Sequence, residues 1–205
     1  DKSVQILSDV LRHAPVLQSI MLDLGGISNK SMKVLGEAIR NTPALKSISL
    51  NIMSIGNEGV KDPGCFGGLL TAVAGDINDE GHKALGEALG HAPALQSISL
   101  DVIRISDEGI KALGEVIQYA PGLQSVSFSV KDISDEIMHV LGEAIRHALV
   151  LQSISFGLEG ISDEGKKVLT RAIQHAAGLQ SVNLCGFAGD LSMFDDISQC
   201  KVLFQ

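Results

Sequence analysis

The stretch Leu95-Gln96-Ser97-Ile98-Ser99-Leu100 decides the fold, because it returns almost unchanged along the chain. Later copies begin at Leu123, Leu151 and Leu179, so the repeat has a constant period of 28. Two earlier copies begin at Leu17 and Leu45 and keep the same period. Self-similarity of this kind is typical of solenoids, in which each copy is one supersecondary unit stacked on the next.

Each copy contains two periodicities. Ile98 and Leu100 alternate with Ser97 and Ser99, which is the period-2 pattern of a strand with one buried face. A serine followed by two acidic residues then predicts a helix start, apolar residues follow at helical spacing, and a proline commonly ends the unit. We therefore expect parallel strands joined by right-handed helical crossovers.

Strands lie about 4.8 Å apart and packed helices about 8 to 10 Å apart, so such a stack must curve. The sequence predicts an α/β solenoid with its strands on the concave face and its helices on the convex face. Glycine recurs at one helical position, where it should let neighbouring helices approach; these residues are Gly36, Gly86, Gly114 and Gly142.

One step in the series is irregular. The step from Leu45 to Leu95 is longer than one period and shorter than two. We interpret the extra length as a shortened unit near residues 56–77 with its strand at Leu69–Val73, giving about seven strands. Asp62-Pro63-Gly64 falls where that unit's helix would be, and proline and glycine both lower helix stability.

The pattern Leu95-x-x-Ile98-x-Leu100, continued by Gly109-x-x-x-Leu113, resembles the ribonuclease-inhibitor-like class of leucine-rich repeats, which shares this period. The resemblance covers nearly the whole chain and implies a right-handed horseshoe arc used for protein–protein contact. It departs from the class where Asn or Cys is usual; this chain has Gly25, Met53, Ile103, Lys131 and Glu159 at those positions. The turns after the strands therefore lack the usual side-chain ladder.

The repeats predict one leucine-rich-repeat domain over residues 1–190, followed by a C-terminal segment over residues 191–205. In that segment, Leu191, Met193, Phe194 and Ile197 fit a helix that covers the end of the core. Val202–Gln205 resembles the remnant of a viral 3C-type protease site and is set aside from functional reasoning. At the other end the first unit lacks its strand, so we expect upstream repeats to be missing and the strand at Ser19–Leu22 to form an open edge.

Composition narrows the class of partner. A formal net charge of −8 disfavours nucleic acid, and no apolar run reaches the length of about 20 residues that a membrane span needs. We expect a cytoplasmic protein, with secretion into a host cytosol as an open alternative. The three cysteines, Cys65, Cys185 and Cys200, form no metal-binding pair; a Cys185–Cys200 disulfide stays open.

No enzyme signature is present in the sequence. The predicted inner face is rich in serine, but a nucleophilic serine needs a nearby base, and all six histidines fall in helical segments. His13, His91, His147 and His175 share one position near helix ends, which favours capping over metal binding. We predict a non-enzyme without cofactor or metal, and a small-molecule substrate is disfavoured.

The copies differ mainly just after each strand, and variable positions on a rigid scaffold are the usual seat of recognition. We predict that this rim and the adjoining serine face bind another protein. The candidate residues are Asp23, Asn51, Met53, Ser97, Ser99, Asp101, Ile103, Arg104, Ser127, Ser129, Lys131, Asp132, Ser155 and Glu159. An alternative for Met53 and Ile103 is that they fill the core position of the absent Asn.

Three functional classes stay open at this point. The first is a non-catalytic interaction scaffold, such as a bacterial effector or an innate-sensor-like module. The second is a GTPase-activating regulator resembling the Ran activators, for which Arg104 is the one candidate side chain. The third, an inhibitor of a basic enzyme, ranks lowest because the serine face carries few acidic residues beyond Asp23 and Asp101.

Overall fold

The computed structural model describes residues 2–25, 27–53, 79–102, 107–131, 133–186, 194, 197 and 201–204. Helices and strands alternate along the chain as the repeat predicts. The helices are α1 (Lys2–Arg12), α2 (Asn29–Arg40), α3 (Asp79–Gly90), α4 (Asp107–Tyr119), α5 (Asp135–His147) and α6 (Asp163–His175). The strands are β1 (Ser19–Gly25), β2 (Ser47–Met53), β3 (Ser97–Val102), β4 (Ser125–Lys131), β5 (Ser153–Glu159), β6 (Ser181–Cys185) and β7 (Lys201–Phe204).

All seven described strands form one parallel sheet in chain order. The register is set by the repeat, since Ser97 pairs with Ser125 and Ser125 with Ser153, each one period further along. Strand β1 stands at one end of the sheet, as predicted, and β7 stands at the other. The sheet is therefore open and not closed into a barrel.

The two strands on either side of the irregular step are neighbours in the sheet. Strand β2 pairs directly with β3, with Ser47 beside Ser97 and Leu50 beside Leu100, so no strand lies between them in the sheet. The predicted shortened unit near residues 56–77 therefore contributes no strand between β2 and β3, and the unit itself stays a prediction. The predicted strand at Leu69–Val73 falls within residues 54–78, which lie outside the described part of the chain.

The seventh strand lies in a segment that the sequence analysis had set aside. Lys201 pairs with Ser181 and Val202 with Val182, so residues 201–204 extend the sheet beyond β6. Phe194 and Ile197 are buried against the core, in line with their predicted covering role. The other members of the predicted covering helix, Leu191 and Met193, lie outside the described residues.

The core lies between the sheet and the helices and runs the length of the stack. The strands contribute two inward rows; one contains Ile48, Ile98 and Ile154, and the other contains Leu50, Leu100 and Phe156. Phe156 packs against Phe128 on the neighbouring strand with ring centroids 4.3 Å apart. Because each layer touches only its neighbours, stability is the sum of contacts between successive units.

The recurring helical glycines stand where adjacent helices touch, as predicted. A Cβ atom on Gly36 would lie 3.1 Å from Ala88 Cβ, and one on Gly86 would lie 2.6 Å from Ala112 Cβ. The α4–α5 contact is looser, because a Cβ on Gly114 would meet Val140 Cγ1 at 3.5 Å. Each glycine therefore faces the following helix of the stack.

The helix ends repeat the same hydrogen bonds from unit to unit. Ser28, Ser134 and Ser162 act as N-caps, each accepting a backbone N–H three residues ahead. At the other end, the Nδ1–H groups of four histidines donate to the carbonyl four residues before, at 2.6 to 2.8 Å; they are His13, His91, His147 and His175. The prediction that these histidines cap helices is confirmed.

Candidate protein-binding face

Three rows of side chains cross the outward face of the sheet, because alternate strand residues point away from the helices. The first row is Ser19, Ser47, Ser97, Ser125, Ser153, Ser181 and Lys201. The second row is Met21, Ser49, Ser99, Ser127, Ser155, Asn183 and Leu203. The third row is Asp23, Asn51, Asp101, Ser129, Gly157 and Cys185. We call these three rows the inner face.

The hydroxyls of the inner face point to solvent and not into the core. Ser97, Ser99, Ser127 and Ser155 are half-buried, while the residues between them are buried. At the C-terminal end, Asn183 Nδ2 donates to Ser155 Oγ at 3.4 Å. This is the placement that the alternating pattern predicts for these serines.

The third row differs most in chemistry from one strand to the next. Its N-terminal half reads Asp23, Asn51, Asp101, with both aspartates exposed and the asparagine half-buried. Its C-terminal half consists of the small residues Ser129, Gly157 and Cys185. Adjacent strands are about 4.8 Å apart, so the two carboxylates lie about 10 Å apart with an amide between them. One half of the row therefore carries hydrogen-bond acceptors and negative charge, whereas the other half carries little charge.

The two aspartates have no ion-pair partner among the described residues. By contrast, several acidic side chains on the helices form ion pairs. Glu80 pairs with Lys33, Glu108 with Lys111 at 3.0 Å, and Glu143 with Arg146 at 2.7 Å. The hydrogen bond from Lys111 to Glu108 raises the pKa of Lys111 above its ordinary value. The two aspartates of the inner face thus remain unpaired among the described residues, whereas many acidic side chains on the convex face form ion pairs with neighbouring basic side chains.

The rim beyond the third row is described only in part. Met53, Lys131 and Glu159 are the last residues of β2, β4 and β5, and Lys131 pairs with Glu159 in the strand register. Ile103, Arg104 and Asp132 lie outside the described residues. The binding role predicted for the rim therefore stays a prediction.

The serine rows of the inner face lie far from the histidines, which could otherwise act as bases for a nucleophilic serine. Every histidine of the described chain lies on a helix or directly after one, whereas the serine rows lie on the opposite side of the sheet. Among the described residues, no three His, Cys, Asp or Glu side chains are grouped closely enough to hold a metal ion. None of the described helices has the length and apolar character of a membrane span.

Two exposed apolar residues of the inner face were missing from the sequence-based candidate set. Met21 is 83% exposed at the N-terminal end of the second row, and Leu203 is 39% exposed at its C-terminal end. Leu203 was overlooked because its segment had been interpreted as a protease-site remnant, although the short apolar run Val202-Leu203-Phe204 is itself compatible with a strand. Both ends of an otherwise polar row are therefore apolar.

No protein-family model and no curated protein sequence matches this chain. Solved structures do match. The chain is similar to the structure entitled leiomodin-1 actin-binding site 2, with a TM-score of 0.59 and 13% identity over 82% of this chain and 86% of that one. It is also similar to the tropomodulin C-terminal domain from Caenorhabditis elegans, with a TM-score of 0.51 and 16% identity over 84% of this chain and 92% of that one.

The fold is a leucine-rich-repeat-like solenoid. This conclusion combines the parallel sheet, the alternating helices and the two structural neighbours. At identities of 13% and 16%, the likeness extends to the fold alone. Membership in the ribonuclease-inhibitor-like class stays a prediction from the sequence pattern.

Proposed function

We propose that this chain is a non-catalytic scaffold that binds a protein partner on its inner face and the adjoining rim. The observation that carries the proposal is the pair of exposed carboxylates, Asp23 and Asp101, which have no ion-pair partner among the described residues. They stand on a rigid sheet whose other outward residues are mostly small and polar. Small side chains allow the backbone of a partner to approach the sheet closely, and the two carboxylates can form ion pairs with basic side chains of that partner.

The chemistry of the third row indicates what the partner presents. Asp23 and Asp101 would accept hydrogen bonds from Lys or Arg side chains, and Asn51 would accept or donate between them. Met21 adds an exposed apolar contact at the same end of the face. The partner is thus a protein segment with spaced basic residues, and the net charge of −8 would speed its approach.

The inner face is poor in the residues that dominate tight interfaces. The chain has no Trp and one Tyr, and that residue, Tyr119, lies at the end of α4 and not on the sheet. Trp and Tyr supply much of the binding energy in strong complexes. We therefore expect binding of moderate affinity that weakens as salt is added.

The test compares variants with the same change of charge on opposite faces of the solenoid. One variant carries Asp23→Lys and Asp101→Lys; its matched control carries Glu87→Lys and Glu115→Lys, two exposed helical acids. Wild type and both variants are immobilised and exposed to the same cell lysate, and retained proteins are identified by mass spectrometry. We expect at least one protein to be retained by wild type and control and lost by the inner-face variant. Identical sets for all three would contradict the proposal.

Actin provides a defined first probe, because one structural neighbour is entitled an actin-binding site. Cosedimentation with filamentous actin tests this probe directly. Binding lost with Asp23→Lys and Asp101→Lys would identify actin as the partner. Binding equally strong in the inner-face variant would count against the inner face.

A further inference from the structure

A groove crosses the convex face between the last turns of α3 and α4. It has a volume of about 210 Å³, and its lining includes Glu87, Gly90, His91, Glu115, Val116 and Tyr119. Gly90 has no side chain, and a Cβ atom built there would lie 3.7 Å from Val116 Cγ2, an ordinary contact distance. The last turn of α3 therefore has room for a side chain that the chain itself does not supply.

Two carboxylates flank this groove, one from each helix. Glu87 of α3 and Glu115 of α4 are exposed, and neither has an ion-pair partner among the described residues. In α5 the equivalent acid, Glu143, pairs with Arg146 three residues later in the same helix, at 2.7 Å. Neither Glu87 nor Glu115 has an arginine three residues later. The groove therefore carries two negative charges that no nearby cation neutralises.

The first two helices show which cation fits between such a pair of acids. Arg12 of α1 lies between Asp9 of its own helix and Glu37 of α2, with guanidinium nitrogens 3.7 and 3.8 Å from their carboxylate oxygens. In the alignment of the repeats, these three residues correspond to Gly90, Glu87 and Glu115. The groove between α3 and α4 is therefore the place of an arginine whose side chain is missing.

Two other lining groups also suit a guanidinium. Tyr119 is 70% exposed at the end of α4, and the face of a tyrosine ring attracts a planar cation. His91 Nδ1 donates to the carbonyl oxygen of Glu87 at 2.6 Å, which leaves Nε2 of the neutral ring as an acceptor. Because a guanidinium presents its N–H donors in one plane, it can bond to several acceptors at once, whereas an ammonium lacks this planar geometry.

We propose that this groove is a docking site for an arginine side chain of a partner protein. The guanidinium lies between Glu87 and Glu115, as that of Arg12 lies between its two acids. Pockets that enclose drug-sized ligands have volumes of about 300 to 1,000 Å³, so this smaller groove fits a side chain held by a larger body better than a whole small molecule. The groove and the inner face lie on opposite sides of the solenoid, so substitutions at one site should not alter binding at the other.

The first experiment titrates the whole chain with a blocked alanine pentapeptide that has arginine at its centre. Backbone amide NMR signals of His91 and Tyr119 report binding at the groove. Wild type should bind with a millimolar Kd, because each exposed ion pair contributes little, and citrulline in place of arginine should raise Kd at least about tenfold. Equal binding of a lysine peptide would overturn the guanidinium assignment. Tighter binding of blocked arginine alone would overturn the assignment to a protein side chain.

The second experiment supplies the missing side chain from the chain itself, with Gly90→Arg. The variant should fold, because the groove has room for the Cβ atom and arginine favours helix over glycine; circular dichroism checks this. Its own guanidinium should occupy the groove and raise Kd for the arginine peptide at least about tenfold. The matched control, Gln174→Arg, adds the same charge at the equivalent exposed position of α6 and should bind like wild type.

A second variant removes the charges and keeps the shape. Glu87→Gln with Glu115→Gln should weaken binding by a similar factor. Unchanged binding in this variant or in Gly90→Arg would overturn the proposal, as would a wild type that does not bind the arginine peptide at millimolar concentrations. Asp23→Lys with Asp101→Lys should leave the response of the groove unchanged. Loss of that response would place the peptide on the inner face and also overturn the proposal.

Discussion

At the scale of single residues, the stack is governed by how closely neighbouring helices approach. Gly86 and Gly114 occupy the same helical position, yet an added Cβ would lie 2.6 Å from Ala112 Cβ in one case and 3.5 Å from Val140 Cγ1 in the other. The first distance requires backbone movement, because Ala112 has no flexible side chain to yield. The second is an ordinary van der Waals contact.

This difference predicts opposite outcomes for the same substitution. Gly114→Ala should stabilise the chain by up to about 1 kcal/mol, which is the helix propensity that alanine gains over glycine. Gly86→Ala gains the same propensity but meets an overpacking cost of about 1 to 3 kcal/mol. Urea denaturation of the two variants measures the comparison. Equal free energies of unfolding would show that the α3–α4 contact is no tighter than the α4–α5 contact.

The histidine caps give a second prediction at this scale. His175 Nδ1 lies 2.7 Å from the carbonyl oxygen of Arg171, and Asn41 Nδ2 makes the equivalent bond to Glu37 at 2.9 Å. His175→Ala should cost about 1 kcal/mol, the net value of one hydrogen bond, whereas His175→Asn should keep most of it. Thermal denaturation distinguishes the two. Equal losses in both variants would mean that the ring contributes by packing and not by capping.

At the scale of elements, the sequence predicted most of what forms. The strands from β1 to β6 follow from the alternation of apolar residues with serine, and the helices follow from their acidic starts and apolar spacing. Both signals are local, so they can be recognised in the sequence without knowledge of the tertiary structure. The N-cap serines and the capping histidines were likewise visible from position alone.

Two features of the sheet, the direct pairing of β2 with β3 and the strand β7, could not be predicted from the sequence. The chain length between Leu45 and Leu95 does not show whether a strand stands between β2 and β3, and only their direct pairing shows that none does. Strand β7 pairs Lys201 with Ser181, a step shorter than the repeat, so the period does not find it. The placement of Asp23 and Asp101 on the inner face was predicted from the sequence, whereas their lack of an ion-pair partner among the described residues depends on the tertiary structure.

The register of β7 can be tested with two adjacent residues. Val202 pairs with Val182 and is half-buried against the core, whereas its neighbour Leu203 points outward beside Asn183. Val202→Ser should lower the free energy of unfolding by about 1 kcal/mol through lost apolar burial, and Leu203→Ser should change it little. Urea denaturation measures both. A larger loss for Leu203→Ser would indicate that the strand faces the other way.

At the scale of the whole molecule, the fold separates two surfaces with different properties. The convex helices carry the observed ion pairs and the capping bonds; most of these lie within one helix, while Lys33 and Glu80 join α2 to α3. The sheet carries small polar residues and available carboxylates on a scaffold held by the core beneath. This division follows from one repeated unit, because each copy adds a layer to both surfaces at once.

The central claim is that successive copies, including those that begin at Leu45 and Leu95, lie side by side in one parallel sheet with the serine rows outward. Disulfide trapping tests it in a chain whose three native cysteines are replaced by serine. Ser49→Cys and Ser99→Cys should place two thiols on strands about 4.8 Å apart, which can bridge under mild oxidation. Ser49→Cys with Ser127→Cys places them about 10 Å apart, too far to bridge.

Efficient bridging of the first pair alone is the predicted result. Failure of the first pair, or bridging of the second in its place, would contradict the account.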